Sequence, residues 1–290
     1  MTYDIIIVGN GPAGLSAALY TSRAKLQTLV IGKDNGALTK ADKIENYFGM
    51  AEPVSGCELV ENTKRQAKTL GAELTEDEIF HISWNGSFRL EGRKETYEAK
   101  AVLLATGTSR KTADVPGLSK LEGRGVSYCA VCDAFFYRGR KVGVLGNEDY
   151  AAHELGQLLP VVGEAVLLTN GKPLHTDVPE GVAVYEKKLT AVNGEEQVEG
   201  VTFEDGESLA LDGIFVALGS AGAADLARKI GAMTEGRSIK VDEEMATNVP
   251  GLYAAGDCTG GLLQISKAVG EGAKAAMSMI RFVRQQKNNG

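Results

Sequence analysis

The spacing of apolar runs and glycines predicts an α/β protein made of two nested three-layer domains. Three observations carry that expectation. A fully apolar strand, Ile5 to Val8, runs into a glycine-rich turn and an alanine-rich helix within the first 25 residues. The strand-then-glycine order returns at Lys141 to Gly146 and again at Leu252 to Gly256. The chain of 290 residues holds 36 glycines but only 7 prolines. Glycine above the usual ~7%, with few prolines, points to tight strand-to-helix turns rather than to linkers. At ~150 residues per domain the length suits two domains, each with its own core.

Composition narrows the function. Hydrophobic residues make up 43% and charged residues 24%, ordinary for a globular chain, which excludes disorder, collagen and coiled coil. The net charge is −7 with no Lys/Arg block, which argues against a nucleic-acid partner. No apolar run reaches the ~18 residues of a membrane span. The opening Tyr3-Asp4 and the short run after it lack the basic region and cleavage site of a signal peptide, so a cytoplasmic protein with no membrane partner is expected. In a reducing compartment the four cysteines do not form a disulfide scaffold; a C-x-x-C pair there is catalytic or metal-binding.

The elements follow in order. After the first strand, a helix spans about Leu15 to Lys25 and a second strand Thr28 to Ile31. Alternation in Ala72 to Glu98 predicts a small antiparallel sheet, with Trp84 packed in it. Ala101 to Ala105 is a buried strand. Asp114 to Leu118 reads as a linker. Lys141 to Leu145 opens a second α/β unit, which turns β-rich up to Gly219. The last helix runs from about Ile265 to Arg284, with Met277 and Met279 facing the core. The first domain is therefore discontinuous, residues 1–113 plus 242–290, around a second at 114–241. Cys57 and Cys258 are expected to be buried and structural.

Gly9-x-Gly11-x-x-Gly14 follows a strand and opens a helix, the context a Rossmann-like dinucleotide fingerprint requires. Gly9 makes the tight turn, Gly11 lets the backbone approach the pyrophosphate, and Gly14 packs helix on strand. The usual acidic ribose ligand is not at the end of the second strand: Gly32 stands there, and Asp34 is the candidate two residues on. These residues alone leave FAD and NAD(P) both open.

Cys129-Ala130-Val131-Cys132-Asp133 is the second chemical signal. Two thiols at this spacing can close a small disulfide ring, and their thiolates can be stabilised locally. Asp133 can carry a proton to or from the thiols or a leaving group. Zinc needs four ligands, and Cys57, Cys258 and three scattered histidines show no matching spacing, so no metal is expected.

The segment Thr247-x-x-Pro250-Gly251-Leu252-Tyr253-Ala254-Ala255-Gly256-Asp257 resembles that of the flavoprotein disulfide reductases, whose Asp holds the ribityl chain of the flavin. Gly125 to Tyr137, Asn35 to Thr39 and Ile44 to Gly49 resemble low-molecular-weight bacterial thioredoxin reductases. The resemblance implies a fold of the pyridine nucleotide-disulfide oxidoreductase type, FAD as cofactor and a homodimer. It implies that Pro12, Ala13, Leu38, Thr39, Asn46, Ile79, Thr106, Gly107, Gly256, Asp257, Gln264 and Ile265 lie near the FAD. It further implies that Cys132 is the flavin-proximal thiol and Cys129 the one that attacks a thioredoxin disulfide.

The pattern departs in the middle domain. Where such reductases have GGGDSA, this chain reads Gly146-Asn147-Glu148-Asp149-Tyr150-Ala151; where they have HRR, it reads Thr169-Asn170-Gly171. Two losses in one ligand site oppose NADPH by sterics and by charge. The combination resembles the ferredoxin-dependent flavin thioredoxin reductases of anaerobic bacteria and implies ferredoxin as donor. Arg138, Arg140, Lys141, Lys40 and Lys43 are candidate contacts for such an acidic partner. An NAD(P)H-dependent enzyme with an atypical site and a redox-sensing flavoprotein without turnover are the competing readings.

Overall fold

The computed structural model describes residues 2–107, 113–219 and 222–289. The chain opens with β1 (Thr2–Val8), α1 (Pro12–Arg23) and β2 (Thr28–Gly32). Ile5, Ile6 and Ile7 are fully buried, because a parallel strand flanked on both sides admits an unbroken apolar run. Pro12 takes the first helical position of α1, where its missing N–H is one the helix leaves unpaired anyway. Then come α2 (Gly56–Thr69), capped by Ser55 Oγ accepting from the Glu58 N–H, and β3 (Glu73–Glu76).

A meander follows, β4 (Ile79–Trp84), β5 (Phe88–Gly92) and β6 (Thr96–Leu104). The antiparallel pairing that alternation suggested is there, β4 with β5 and β5 with β6, but it continues a larger sheet. The nine residues of β6 serve three partners: Thr96 to Ala99 pair antiparallel with β5, Glu98 to Leu104 pair parallel with β1, and Val102 to Leu104 pair parallel with a later strand. The sheet therefore runs β3-β2-β1-β6-β5-β4 without a break. Trp84 sits at the tip of the β4–β5 hairpin and is 60% exposed, not packed.

The middle of the chain forms β7 (Val126–Ser127), α3 (Ala130–Asp133), β8 (Lys141–Leu145), α4 (Asp149–Leu158), β9 (Glu164–Leu168), β10 (Ala183–Tyr185), β11 (Leu189–Asn193), β12 (Gly200–Phe203), β13 (Ser208–Ala210) and β14 (Gly213–Val216). Five of these make an all-parallel sheet, β10-β9-β8-β14-β7, and three make an antiparallel one, β11-β12-β13. Val115 and Leu118 are buried with Leu145, Val166 and Ile214. The stretch expected to be a linker is thus part of this core.

The chain returns through α5 (Ala223–Lys229), β15 (Thr234–Glu235), β16 (Ser238–Ile239), β17 (Leu252–Ala254) and α6 (Ile265–Asn289). β17 joins the first sheet alongside the second half of β6. Contacts divide the chain into two compact units, Met1–Ser109 with Gly222–Gly290, and Arg110–Ala221. The sequence places residues 222–241 in the middle domain; contacts place them in the first unit. There the buried Lys229 Nζ donates to Phe80 O at 2.9 Å. Of the two methionines assigned to the core, Met279 is buried and Met277 is 47% exposed. Among the described residues no helix is long and apolar enough to cross a membrane.

Candidate active site

In the first unit the residues of interest gather where the parallel strands end, the edge at which open α/β sheets bind ligands. β1 ends in Gly9, β6 in Ala105-Thr106-Gly107, and β17 in Ala255-Gly256-Asp257. Gly9 has φ +119°, and a Cβ there would overlap Ala105 O, so only glycine fits. A Cβ on Gly14 would overlap Gly9 O, which is how helix and strand close on each other. Gly256, at φ +86°, has Ala13 Cβ 2.9 Å from where its own Cβ would be. One turn, one helix start and two strand ends are thereby brought together.

The neighbouring candidates complete the cluster. Asn46 Nδ2 donates to Gln264 Oε1 at 3.2 Å. Pro12, Leu38 and Ile265 line a mostly apolar cavity of about 310 Å³. Thr39 Oγ1 donates to Gly36 O at 2.8 Å, and one carboxylate oxygen of Asp34 accepts from the Gly36 N–H at 2.6 Å. The Asp77 N–H donates to Gly32 O, which leads the chain across the end of β2 into the buried Ile79. The structure also explains the glycine at position 32. Asn10 donates from Nδ2 to Asp34 O at 2.8 Å, and any side chain at Gly32 would overlap the Asn10 amide. Asn10 fills the place where an acidic side chain was expected.

Two features fit a dinucleotide cofactor. A Cβ on Gly11 would meet no protein atom within 4 Å, so the helix start has open space beside it, as a phosphate-binding turn requires. Thr106 Oγ1 is buried with no partner among the described residues. An orphaned buried hydroxyl is costly unless something else bonds it.

Lys267 and Glu271, on α6, were not singled out in the sequence, and both contact the Gly256–Asp257 turn. The Gly256 N–H donates to Glu271 Oε2 at 2.8 Å, and Lys267 Nζ donates to Gly256 O at 2.8 Å. An (i, i+4) spacing on a helix was the only available signal. Cys258, next to Asp257, is buried as expected, and burial pushes its thiol up from 9.0 to about 12. Cys57 is exposed, contrary to expectation.

In the second unit Cys129 and Cys132 form a disulfide, with Cα atoms 5.3 Å apart. Cys129 is buried and Cys132 exposed. Cys129 begins the short α3, and its Sγ accepts from the Cys132 N–H at 3.2 Å. Such a donor favours the thiolate once the bond is reduced. Ser127 Oγ donates to Asp133 Oδ2 at 2.6 Å and accepts from the Cys129 N–H at 3.1 Å. From α4, the buried Glu154 accepts from the Ala130 N–H at 2.9 Å. Ser127 and Glu154 were also missed, because their partners are fixed only by β7 and α4 lying beside α3. Among the described residues no group of three His, Cys, Asp or Glu is placed to hold a metal.

The turn after β8 is closed by the chain itself. Asn147 is buried; its Nδ2 donates to Pro173 O at 2.9 Å and its carbonyl accepts from the His175 N–H at 2.8 Å. At the end of β9, Thr169 N–H donates to Tyr185 O, Gly171 N–H to Glu186 O, and Asn170 Oδ1 accepts from the Leu189 N–H. Three of the five cations named for an acidic partner are paired. Arg140 pairs with Asp212, Lys141 with Glu164 and Lys43 with Glu45. Of the five cations, Arg138 and Lys40 carry no ion pair among the described residues, and Arg138 lies 5.6 Å from the centre of the Phe135 ring.

Comparison with known proteins agrees with this arrangement. The family model of the pyridine nucleotide-disulphide oxidoreductases matches residues 3–272. The thioredoxin reductase of Treponema pallidum (strain Nichols) is 36% identical over 304 residues, covering 99% of each chain. That of Aquifex aeolicus (strain VF5) is 34% identical over 308 residues, covering 98% of this chain and 94% of its own. Among solved structures, the atypical thioredoxin reductase TRi from Desulfovibrio vulgaris Hildenborough superposes with a TM-score of 0.91 at 39% identity, covering 98% of both chains. A ferredoxin-flavin thioredoxin reductase from Clostridium acetobutylicum gives 0.70 at 32% identity, covering 98% of this chain and 99% of that one.

Proposed function

Because the chain belongs to the pyridine nucleotide-disulphide oxidoreductase family, as a flavoprotein of the thioredoxin reductase type, we propose that it reduces thioredoxin through Cys129 and Cys132 with electrons from reduced ferredoxin rather than NADPH. FAD, when bound, would supply the redox chemistry that links the electron donor to the two-electron disulfide. Gly9, Gly11, Gly14 and the start of α1 would hold its pyrophosphate and Asp257 its ribityl chain, and the buried Thr106 hydroxyl would gain a partner there. Asp34, Leu38, Thr39, Asn46, Ile79, Gly107, Gln264 and Ile265 complete the binding surface.

Two electrons and two protons convert the Cys129–Cys132 disulfide to a dithiol. The Cys129 thiolate, favoured by the Cys132 N–H, attacks one sulfur of the thioredoxin disulfide. The S–S bond breaks, and Asp133 supplies the proton to the leaving thiolate. The Cys132 thiolate then attacks the Cys129 sulfur. That step releases the second thioredoxin thiolate and restores the internal disulfide. The pair is reset for another two electrons.

The observation that carries the choice of donor is the closure of the turn at Asn147. There the Asn147 side chain donates to Pro173 O and the Asn147 carbonyl accepts from the His175 N–H, so the Pro173–His175 segment lies against the turn where a nucleotide pyrophosphate would sit. Glu148 and Asp149 add negative charge there, and no arginine follows β9 to hold a 2′-phosphate. The name of the Clostridium relative supports the same donor. A cytoplasmic homodimer is the assembly this reading implies. The test is anaerobic. Reduced ferredoxin should bleach the flavin and sustain thioredoxin reduction, whereas millimolar NADPH or NADH should bleach it slowly or not at all. Rapid stoichiometric bleaching by micromolar NADPH would overturn the assignment.

A further inference from the structure

Gly256, at φ +86°, carries the turn into Asp257. A glycine at positive φ has no Cβ to hold it, so its two flanking peptides can rotate. Here both are held from α6. The Gly256 N–H donates to Glu271 Oε2 at 2.8 Å. Its carbonyl accepts from Lys267 Nζ at 2.8 Å, and Lys267 also donates to Gly260 O at 2.6 Å. Thr259 Oγ1 sits inside this frame, 2.7 Å from Gly256 O, 2.9 Å from Glu271 Oε2 and 2.9 Å from Lys267 Nζ. The two charged groups are 3.1 Å apart and mostly buried. The Lys267 ammonium and Glu271 Oε2 are thus spent on the turn that leads into Asp257 or on each other.

We propose that Lys267 and Glu271 are positioning residues for FAD, which act as one unit to preset the Gly256–Asp257 turn. This rests on the reading that Asp257 binds the ribityl chain. Neither side chain is asked to touch the cofactor. Together they fix the peptide planes on both sides of Gly256, and hence the direction in which the carboxylate leaves the chain. Presetting the turn removes the ordering cost that binding would otherwise carry. Because the pair is largely out of water, removing one member leaves the other unpaired, which costs more than removing both. The two residues should therefore be coupled rather than additive.

The experiment is FAD titration into apoprotein, read by flavin fluorescence. Lys267→Met and Glu271→Gln should each raise the FAD Kd about tenfold, as expected for a lost charge-assisted hydrogen bond. The double variant should lose far less than the product of the two. Lys267→Arg, which keeps the donors, should return to within about threefold of wild type. Single variants within twofold of wild type, losses that multiply, or Lys267→Arg no better than Lys267→Met would each overturn the proposal. A measurement on wild-type apoprotein covers any variant that fails to fold. The Gly256 amide should exchange slowly with solvent deuterium before FAD is added; protection that arises only with FAD would sink the idea. Asp257→Ala separates the two readings. If it binds FAD as wild type does while Lys267→Met does not, the role of Asp257 fails and the frame stands as a determinant of FAD binding.

Discussion

The Ser127 hydroxyl donates to Asp133 Oδ2 at 2.6 Å while accepting from the Cys129 N–H at 3.1 Å. One side chain therefore ties the Asp133 carboxylate to the first cysteine of the disulfide. Asp133→Asn should lower thioredoxin-reducing turnover by about a hundredfold, in the range of a lost general acid. Ser127→Ala should lower it about tenfold with KM for thioredoxin unchanged. If Ser127 acts through Asp133, adding Ser127→Ala to Asp133→Asn should change nothing further. Steady-state kinetics on the four proteins checks this, and independent losses would break the link.

The two cysteines should be distinguishable by absorption. Cys129→Ser leaves a free Cys132 thiolate and should produce a long-wavelength band on the bound flavin, whereas Cys132→Ser should not. Both variants should keep FAD and lose turnover. The opposite spectral pattern would exchange the two roles, and turnover retained in both would remove the mechanism.

Asp257 should matter for holding FAD more than for thiol chemistry. A carboxylate accepting a hydrogen bond from a ribityl hydroxyl contributes ~1.5–3 kcal/mol. Asp257→Ala should therefore weaken FAD about ten- to a hundredfold, at ~1.4 kcal/mol per decade. Full FAD occupancy of the variant after gel filtration at low concentration would contradict it.

The two free cysteines should behave as opposites. Cys57 is exposed and should be alkylated by iodoacetamide in the native protein, while Cys258 should be labelled only on unfolding. Burial raises the Cys258 thiol from 9.0 to about 12. Between those values the folded state keeps a proton that the unfolded state has released, so this residue makes stability fall as pH rises through that window. Mass spectrometry of labelled protein and denaturant midpoints above pH 9 measure the two effects. Rapid native labelling of Cys258 would show that the strand end opens to solvent.

What the sequence determined by itself is what short spacing encodes. Gly9, Gly11 and Gly14 lie within one turn of a strand and a helix, and Cys129 and Cys132 are three residues apart. Their chemistry is legible because chain connectivity already holds those groups together. Gly32 with Asp34 marked a departure that the sequence could record but not explain; only the folded chain shows the Asn10 amide filling that space. The end of the second unit, the burial of Val115 and Leu118, and the exposure of Trp84 and Cys57 followed from packing between distant segments. So did Glu154 against Ala130 and Lys267 with Glu271 against Gly256. Those partners are 24, 11 and 15 residues apart along the chain, and which peptide group a side chain meets depends on how a helix lies against a turn. That placement is set by the burial of whole apolar faces, a property no local pattern of residues contains.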